Sequence, residues 1–113
     1  IGDRAYSDDY DEAAELVTAA VKGFHDGGVI CCLKHFPGHG STKTDSHDGA
    51  ATVDKTLPQL RKEDLKPFMS GIAAGADMVM VGHLTVRRWT MCPPPCRTRS
   101  SRICCATTSA FAA

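Results

Sequence analysis

The sequence predicts an α/β fold with parallel strands, and three observations carry that expectation: two amphipathic helical patterns, two short apolar runs that each follow one, and glycines at the joints. Helix, strand, helix, strand in that order implies parallel strands joined by right-handed crossovers. Two such strands leave edges and apolar faces open to water. The chain therefore reads as a piece of a larger architecture, either a (β/α)8 barrel or a doubly wound sheet.

The first helix is expected from Asp9 onward. Ala13, Leu16, Val17, Ala20, Val21 and Phe24 recur at the 3, 4, 7, 8 and 11 spacings of one helical face. Asp9 with Glu12 three later matches a capping box, and Gly27-Gly28 is the expected stop. The run "VICCL", Val29 to Leu33, is continuous, apolar and bounded by glycine and charge. That pattern fits a strand buried on both faces of a parallel sheet.

A second unit comes after it. Thr56 with Gln59 three on is another capping-box start, and Pro58 is tolerated in a first turn. Leu60, Leu65, Phe68, Met69 and Ile72 supply the apolar positions, with Pro67 expected to kink or divide the helix. After Gly75, "MVMVGH" from Met78 to His83 predicts the second buried strand.

The 113 residues could form one small domain, with 42% apolar residues in the range of folded chains. The start at Ile1 rather than Met suggests a fragment or a processed product. No run of 18 or more apolar residues is present, so no membrane segment is expected. A net charge of zero hides a division. All 13 acidic residues lie in residues 1–86. Residues 87–113 hold five arginines, no acid, four of the six cysteines (Cys92, Cys96, Cys104, Cys105) and the consecutive prolines Pro93 to Pro95. So abrupt a change of composition marks a boundary.

Between the two units lies "LKHFPGHGSTKTDSH", Leu33 to His47. In either parallel architecture the chemistry sits at the C-terminal ends of strands, and Lys34-His35 ends the first predicted strand. One reading is a polar loop that simply faces water. A metal reading takes His35, His39, Asp45 and His47 as ligands, but the Pro-Gly inside H-x-x-x-H forbids the helical i, i+4 face that makes such a pair chelating. An acid/base reading rests on Asp45 and His47, two apart. In a locally extended segment alternate side chains share a face, so the carboxylate can orient the imidazole and favour its protonated form. A histidine so held can donate a proton to a leaving group near neutral pH.

"KHFPGHGSTKTDSH", with "IGDRAYS" upstream and "GADMVMVGH" downstream, resembles the catalytic barrel domain of glycoside hydrolase family 3, in its bacterial β-N-acetylhexosaminidase branch. The resemblance covers residues 1–86 and selects the partial (β/α)8 TIM-like barrel, with about two βα units present. It implies removal of terminal β-linked N-acetylglucosamine, from muropeptide or chitin-derived fragments, with retention and without metal or other cofactor. The implied partner is a carbohydrate, not a nucleic acid. At matching positions it makes His47 the general acid/base and Asp45 its partner, with Arg4, Lys34 and His35 binding sugar hydroxyls. His39 is implied to order the loop or to lie beside the sugar. The family pattern has aspartate after "GHG", where this chain has Ser41. A retaining glycosidase also needs a carboxylate nucleophile. In the family it is an aspartate on a later strand, and no acid follows Asp77 here, so the nucleophile is not in this chain.

Residues 87–113 depart from the family pattern, and a single missing base near the Val86 and Arg87 codons accounts for them. In the shifted frame, the Trp89–Thr90 codons must yield an aspartate and the Met91–Cys92 codons a valine. The shifted tail also regains acids and a helical apolar pattern. Two other readings of the tail are a zinc or disulfide cluster and an arginine-rich nucleic-acid contact; neither spacing matches a specific motif.

Overall fold

The computed structural model describes residues 2–42 and 51–88. After a short 3-10 turn at Gly2–Arg4, the elements run α1 (Tyr10–Asp26), β1 (Cys32–Phe36), β2 (Ala51–Thr56), α2 (Leu57–Lys62), α3 (Lys66–Ala73), β3 (Met78–Val81) and β4 (Leu84–Arg88). The Arg/Cys/Pro-rich tail beyond Arg88 lies outside the described residues.

Helix α1 starts where expected because the Asp9 carboxylate accepts the Asp11 and Glu12 amides at 2.8 and 2.9 Å. Those two hydrogen bonds, the one from Glu12 foremost, hold the Asp9 carboxyl below its ordinary pKa. The reciprocal half of the predicted box does not form, since the Glu12 carboxylate accepts from the Ser7 hydroxyl instead. The helix stops at Gly27, and Gly28 adopts φ +70, a left-handed conformation that glycine takes without a Cβ penalty.

Helices α1 and α3 run side by side in the same direction. Their starts are tied by the Lys66–Asp11 ion pair, and midway a Cβ on Gly71 would stand 2.9 Å from Val17 Cγ1 and 2.8 Å from Leu33 Cδ1. Glycine at 71 therefore lets α3 approach both α1 and β1. Of the predicted inner face Val21 is buried, Leu16 and Phe24 stay exposed, and the unpredicted Ala14 is buried.

Strand β1 pairs in parallel with β3, Cys32 opposite Met78 and Leu33 opposite Val79, as the helix–strand alternation predicted. It begins three residues later than expected: Ile30, 70% exposed, precedes it. Neither strand is buried on both faces. Each pairs only with the other among the described residues, so Met78 and Met80 keep about half their surface in water. A second parallel pair, β2 with β4, sets Ala51 opposite Leu84 and Val53 opposite Val86, and it was not anticipated.

The Gln59 carboxamide oxygen accepts the Thr56 amide at 2.9 Å and the Thr56 hydroxyl at 2.7 Å, which starts α2 as the sequence predicts. Pro67 falls in the first turn of α3, where its missing N–H costs nothing, so the predicted helix is divided rather than kinked. Phe36, Val53, Leu60, Leu65 and Phe68 form the buried cluster. The Phe36 and Phe68 rings meet edge to face, centroids 5.5 Å apart. Phe36 comes from one sheet and Val53 from the other, so one core joins both sheets to α2 and α3. Truncating Phe68 to alanine is worth about 3–5 kcal/mol.

Asp77, just before β3, accepts the Cys31 amide at 2.8 Å and lies 2.9 Å from His25 Nε2. The backbone hydrogen bond, then the histidine, push its carboxyl pKa down to about 2. No helix among the described residues is long and apolar enough to cross a membrane.

Candidate active site

The end of β1 is irregular where chemistry is expected. Lys34 pairs with Met80 and Phe36 with Val81, so His35 is the extra residue of a bulge. A bulge breaks the strict alternation of a strand and re-aims the side chain it carries. The Lys34-His35 and Phe36-Pro37 peptide bonds are both cis. Opposite the bulge, Gly82 donates its N–H to the Phe36 carbonyl at 2.8 Å, and a Cβ on Gly82 would lie 3.0 Å from His35 Cβ.

The chain then turns through Gly38 at φ +130, whose N–H donates to the His35 carbonyl at 2.9 Å. His39, 6% exposed, comes next. The Thr42 hydroxyl donates to the His39 carbonyl at 2.8 Å and lies 2.9 Å from His39 Nδ1. A hydroxyl has one proton to give, so the second contact has Nδ1–H donating to threonine, which selects the ring's tautomer. The His35 and His39 rings stand edge to face, 6.0 Å between centroids.

A polar cluster anchors this turn, and two of its members, Tyr10 and Asp64, also line the cleft that holds His35 and His39. Lys55 Nζ lies 2.6 Å from Asp64 Oδ2, 2.7 Å from Ser41 Oγ, 2.7 Å from Glu63 Oε2 and 3.0 Å from Tyr10 Oη. Ser41 in turn donates to Asp64 Oδ1. Partial burial works to lower the Lys55 pKa, and the hydrogen bonds to Asp64, Glu63 and Tyr10 outweigh it, raising the group above its ordinary value. Sequence reasoning missed Lys55, Asp64 and Tyr10 because they come from β2, the α2–α3 turn and α1. The one available signal was Ser41, the departure from the expected aspartate.

Arg4, Lys34, His35 and His39 line a single cleft of about 450 Å³, together with apolar side chains of α1 and β1 such as Val17 and Leu33. The three residues expected to bind sugar hydroxyls and the His39 expected beside them thus share one cleft, although Arg4 is 30 residues upstream of Lys34. Guanidinium and ammonium N–H groups donate to hydroxyl oxygens, and an apolar wall suits the face of a pyranose ring. Asp45 and His47, expected as the acid/base pair, lie outside the described residues.

Parallel strands, flanking helices and a cleft that runs along β1 to its C-terminal end define a parallel α/β barrel-type domain, of which this chain is a part. The chain belongs to glycoside hydrolase family 3: residues 1–103 match the glycosyl hydrolase family 3 N terminal domain. It is 51% identical over 84 residues to a beta-hexosaminidase of Xylella fastidiosa strain M23, covering 74% of this chain and 25% of that protein. A beta-hexosaminidase of Stenotrophomonas maltophilia strain K279a is 48% identical over the same coverage. The chain thus spans about a quarter of the length of the curated relatives it matches. Among solved structures, NagZ of Neisseria gonorrhoeae in complex with N-trifluoroacetyl-D-glucosamine superposes with a TM-score of 0.74 at 34% identity, over 82% of this chain and 27% of that one. A family 3 beta-N-acetylglucosaminidase of Paenibacillus sp. str. FPU-7 gives a TM-score of 0.71 at 43% identity, over 74% and 16%.

Proposed function

We propose that this chain supplies the sugar-binding and proton-transfer quarter of a retaining hydrolase that removes terminal β-linked N-acetylglucosamine. The observation that carries the reading is the convergence of Arg4, Lys34, His35 and His39 on one cleft, directly before the segment holding Asp45 and His47. The beta-hexosaminidase relatives and the N-trifluoroacetyl-D-glucosamine complex of NagZ support the substrate class.

In this mechanism Arg4, Lys34 and His35 hold the sugar's hydroxyls, and Asp45 orients His47 and favours its protonated form. His47 donates a proton to the glycosidic oxygen as the leaving group departs. A carboxylate from elsewhere in the barrel attacks the anomeric carbon to form a glycosyl-enzyme. His47, now a base, takes a proton from the water that releases the sugar.

The test is hydrolysis of an aryl β-N-acetylglucosaminide by the completed in-frame enzyme. His47→Ala is expected to lower kcat by about 10²–10⁴-fold. Unchanged turnover would remove His47 from the mechanism. The 113-residue chain itself has no acid after Asp77 and is expected to show little or no turnover. That absence favours a second reading of the isolated chain, a non-catalytic remnant that still binds N-acetylglucosamine, detectable as saturable binding lost in Arg4→Ala.

We also propose that residues 87–113 are read out of frame. The change of composition after Val86 and the 84-residue span of the curated alignments support this, while the family match itself continues to residue 103. An independent DNA read across the Val86 and Arg87 codons decides it: one additional base restores the frame, and an unchanged read makes the tail genuine.

A further inference from the structure

At the N-terminal ends of β1 and β3, the far end of the cleft from His35 and His39, three side chains of different chemistry converge. His25 sits in the last turn of α1, Cys31 just before β1 and Asp77 just before β3. Each presents one ligand-type atom, and the three atoms lie within 4.8 Å of one another. His25 Nε2 is 2.9 Å from Asp77 Oδ2 and 3.9 Å from Cys31 Sγ.

We propose that His25, Cys31 and Asp77 form a binding site for a zinc-like divalent cation that clamps the end of α1 to the starts of β1 and β3. Zinc bonds of about 2.0 Å to nitrogen and oxygen and about 2.3 Å to sulfur put tetrahedral ligand atoms about 3.3–3.8 Å apart. The observed separations straddle that range, so small side-chain adjustments suffice. Imidazole, thiolate and carboxylate are the donor types a borderline-soft cation selects, and a calcium or magnesium site would call for more oxygens. Thiolate and carboxylate together neutralise the dication.

The environment fits the same role. The Cys31 thiol is buried, and the His25 and Asp77 side chains are 36% and 34% exposed, so a cation reaches the site from solvent and keeps its fourth position for water. Asp77 Oδ2 also accepts the Cys31 amide, an anchoring contact of the kind that orients metal ligands. Beside the ring, Gly75 at φ +99 leaves room: a Cβ there would come no nearer than 3.7 Å to His25 Cε1. On binding, the Cys31 thiol proton and any proton on His25 pass to solvent, the metal–sulfur and metal–nitrogen bonds replace them, and no electron is transferred.

The site does not rest on the glycosidase reading: His25, Cys31 and Asp77 stand at the N-terminal ends of β1 and β3, and of the three only Cys31 also lines the cleft, at the end away from His35 and His39. It is tested by titrating the reduced 113-residue chain with cobalt(II). A near-ultraviolet thiolate-to-cobalt band should saturate at about one equivalent, collapse on adding zinc, and release protons. The band should be lost in Cys31→Ser and His25→Ala. It should persist in Cys32→Ser and in a variant with Cys92, Cys96, Cys104 and Cys105 all changed to serine. If Cys31→Ser does not fold, Asp77→Asn, which still offers a carbonyl oxygen to the Cys31 amide, must weaken cobalt binding several-fold. Overturning results are no band in the parent chain, a band that survives Cys31→Ser, or one that vanishes with the four tail cysteines. In any of these cases His25 and Asp77 are a hydrogen-bonded pair and nothing more.

Discussion

Lys55 and Asp64 meet at 2.6 Å, the ammonium of β2 against a carboxylate whose side chain is only 2% exposed. Their contact reaches Ser41 and so fixes the turn that leaves β1, directly before the segment expected to carry the proton donor.

Lys55→Met should strand the Asp64 carboxylate without a cation in a buried setting. Loss of one partner of such a pair costs about 3–5 kcal/mol, whereas removing both is far milder. In urea unfolding of the complete enzyme, Lys55→Met should lower the midpoint clearly, and Lys55→Met with Asp64→Leu should recover most of the loss. Equal destabilisation of the single and double variants would mean the pair is not coupled.

Gly38→Ala faces two obstacles at once. The position holds φ +130, and the new methyl would stand 2.7 Å from Asp64 Cβ, which is too close to the backbone to swing aside. Backbone strain and overpacking together should cost about 3 kcal/mol or more, with N-acetylglucosaminide turnover falling alongside. A variant of parental Tm would show that the turn is not held as described.

At Gly82 the methyl of alanine would meet His35 Cβ at 3.0 Å, a contact that shifts the bulge by a few tenths of an ångström without breaking the core. Gly82→Ala should therefore raise KM for an aryl N-acetylglucosaminide several-fold with little change in Tm. An unaltered KM would separate His35 from sugar binding.

The Asp9 cap predicts a pH dependence. Its carboxyl is held below the ordinary value of 3.8 by backbone N–H groups, so its contribution is complete above that value and is lost as the pH falls through the lowered pKa. Asp9→Ser keeps an acceptor for the same amides and carries no charge. The difference in Tm between parent and Asp9→Ser should shrink on acidification below about pH 4, and a constant difference would contradict the cap.

Much of this was legible in the sequence because it is local. Asp9 and Gly27-Gly28 bound α1, Thr56 and Gln59 start α2, and Pro67 opens α3 as a separate helix, since caps and proline act within a turn of themselves. Strand β2 escaped notice because "ATVDKT" reads as a polar lead-in to a helix; it is a strand only because β4 lies beside it. Strand β1 was displaced by three residues for a related reason: among the described residues apolar Val29 and Ile30 have no partner strand, and pairing begins only where Met78 stands opposite Cys32.

By itself the sequence determined the parallel α/β class, the ends of the helices, and the loop in which lysine, histidine and aspartate gather. Periodicity and capping act over a few residues and need no partner. Only the tertiary structure decided that Arg4 shares a cleft with Lys34, His35 and His39, that Lys55 and Asp64 close behind Ser41, and that His25, Cys31 and Asp77 meet at the other end of the strands. Those groups lie far apart in the chain, and parallel strand pairing and the packing of α1 on α3 bring them together. No local preference specifies such contacts.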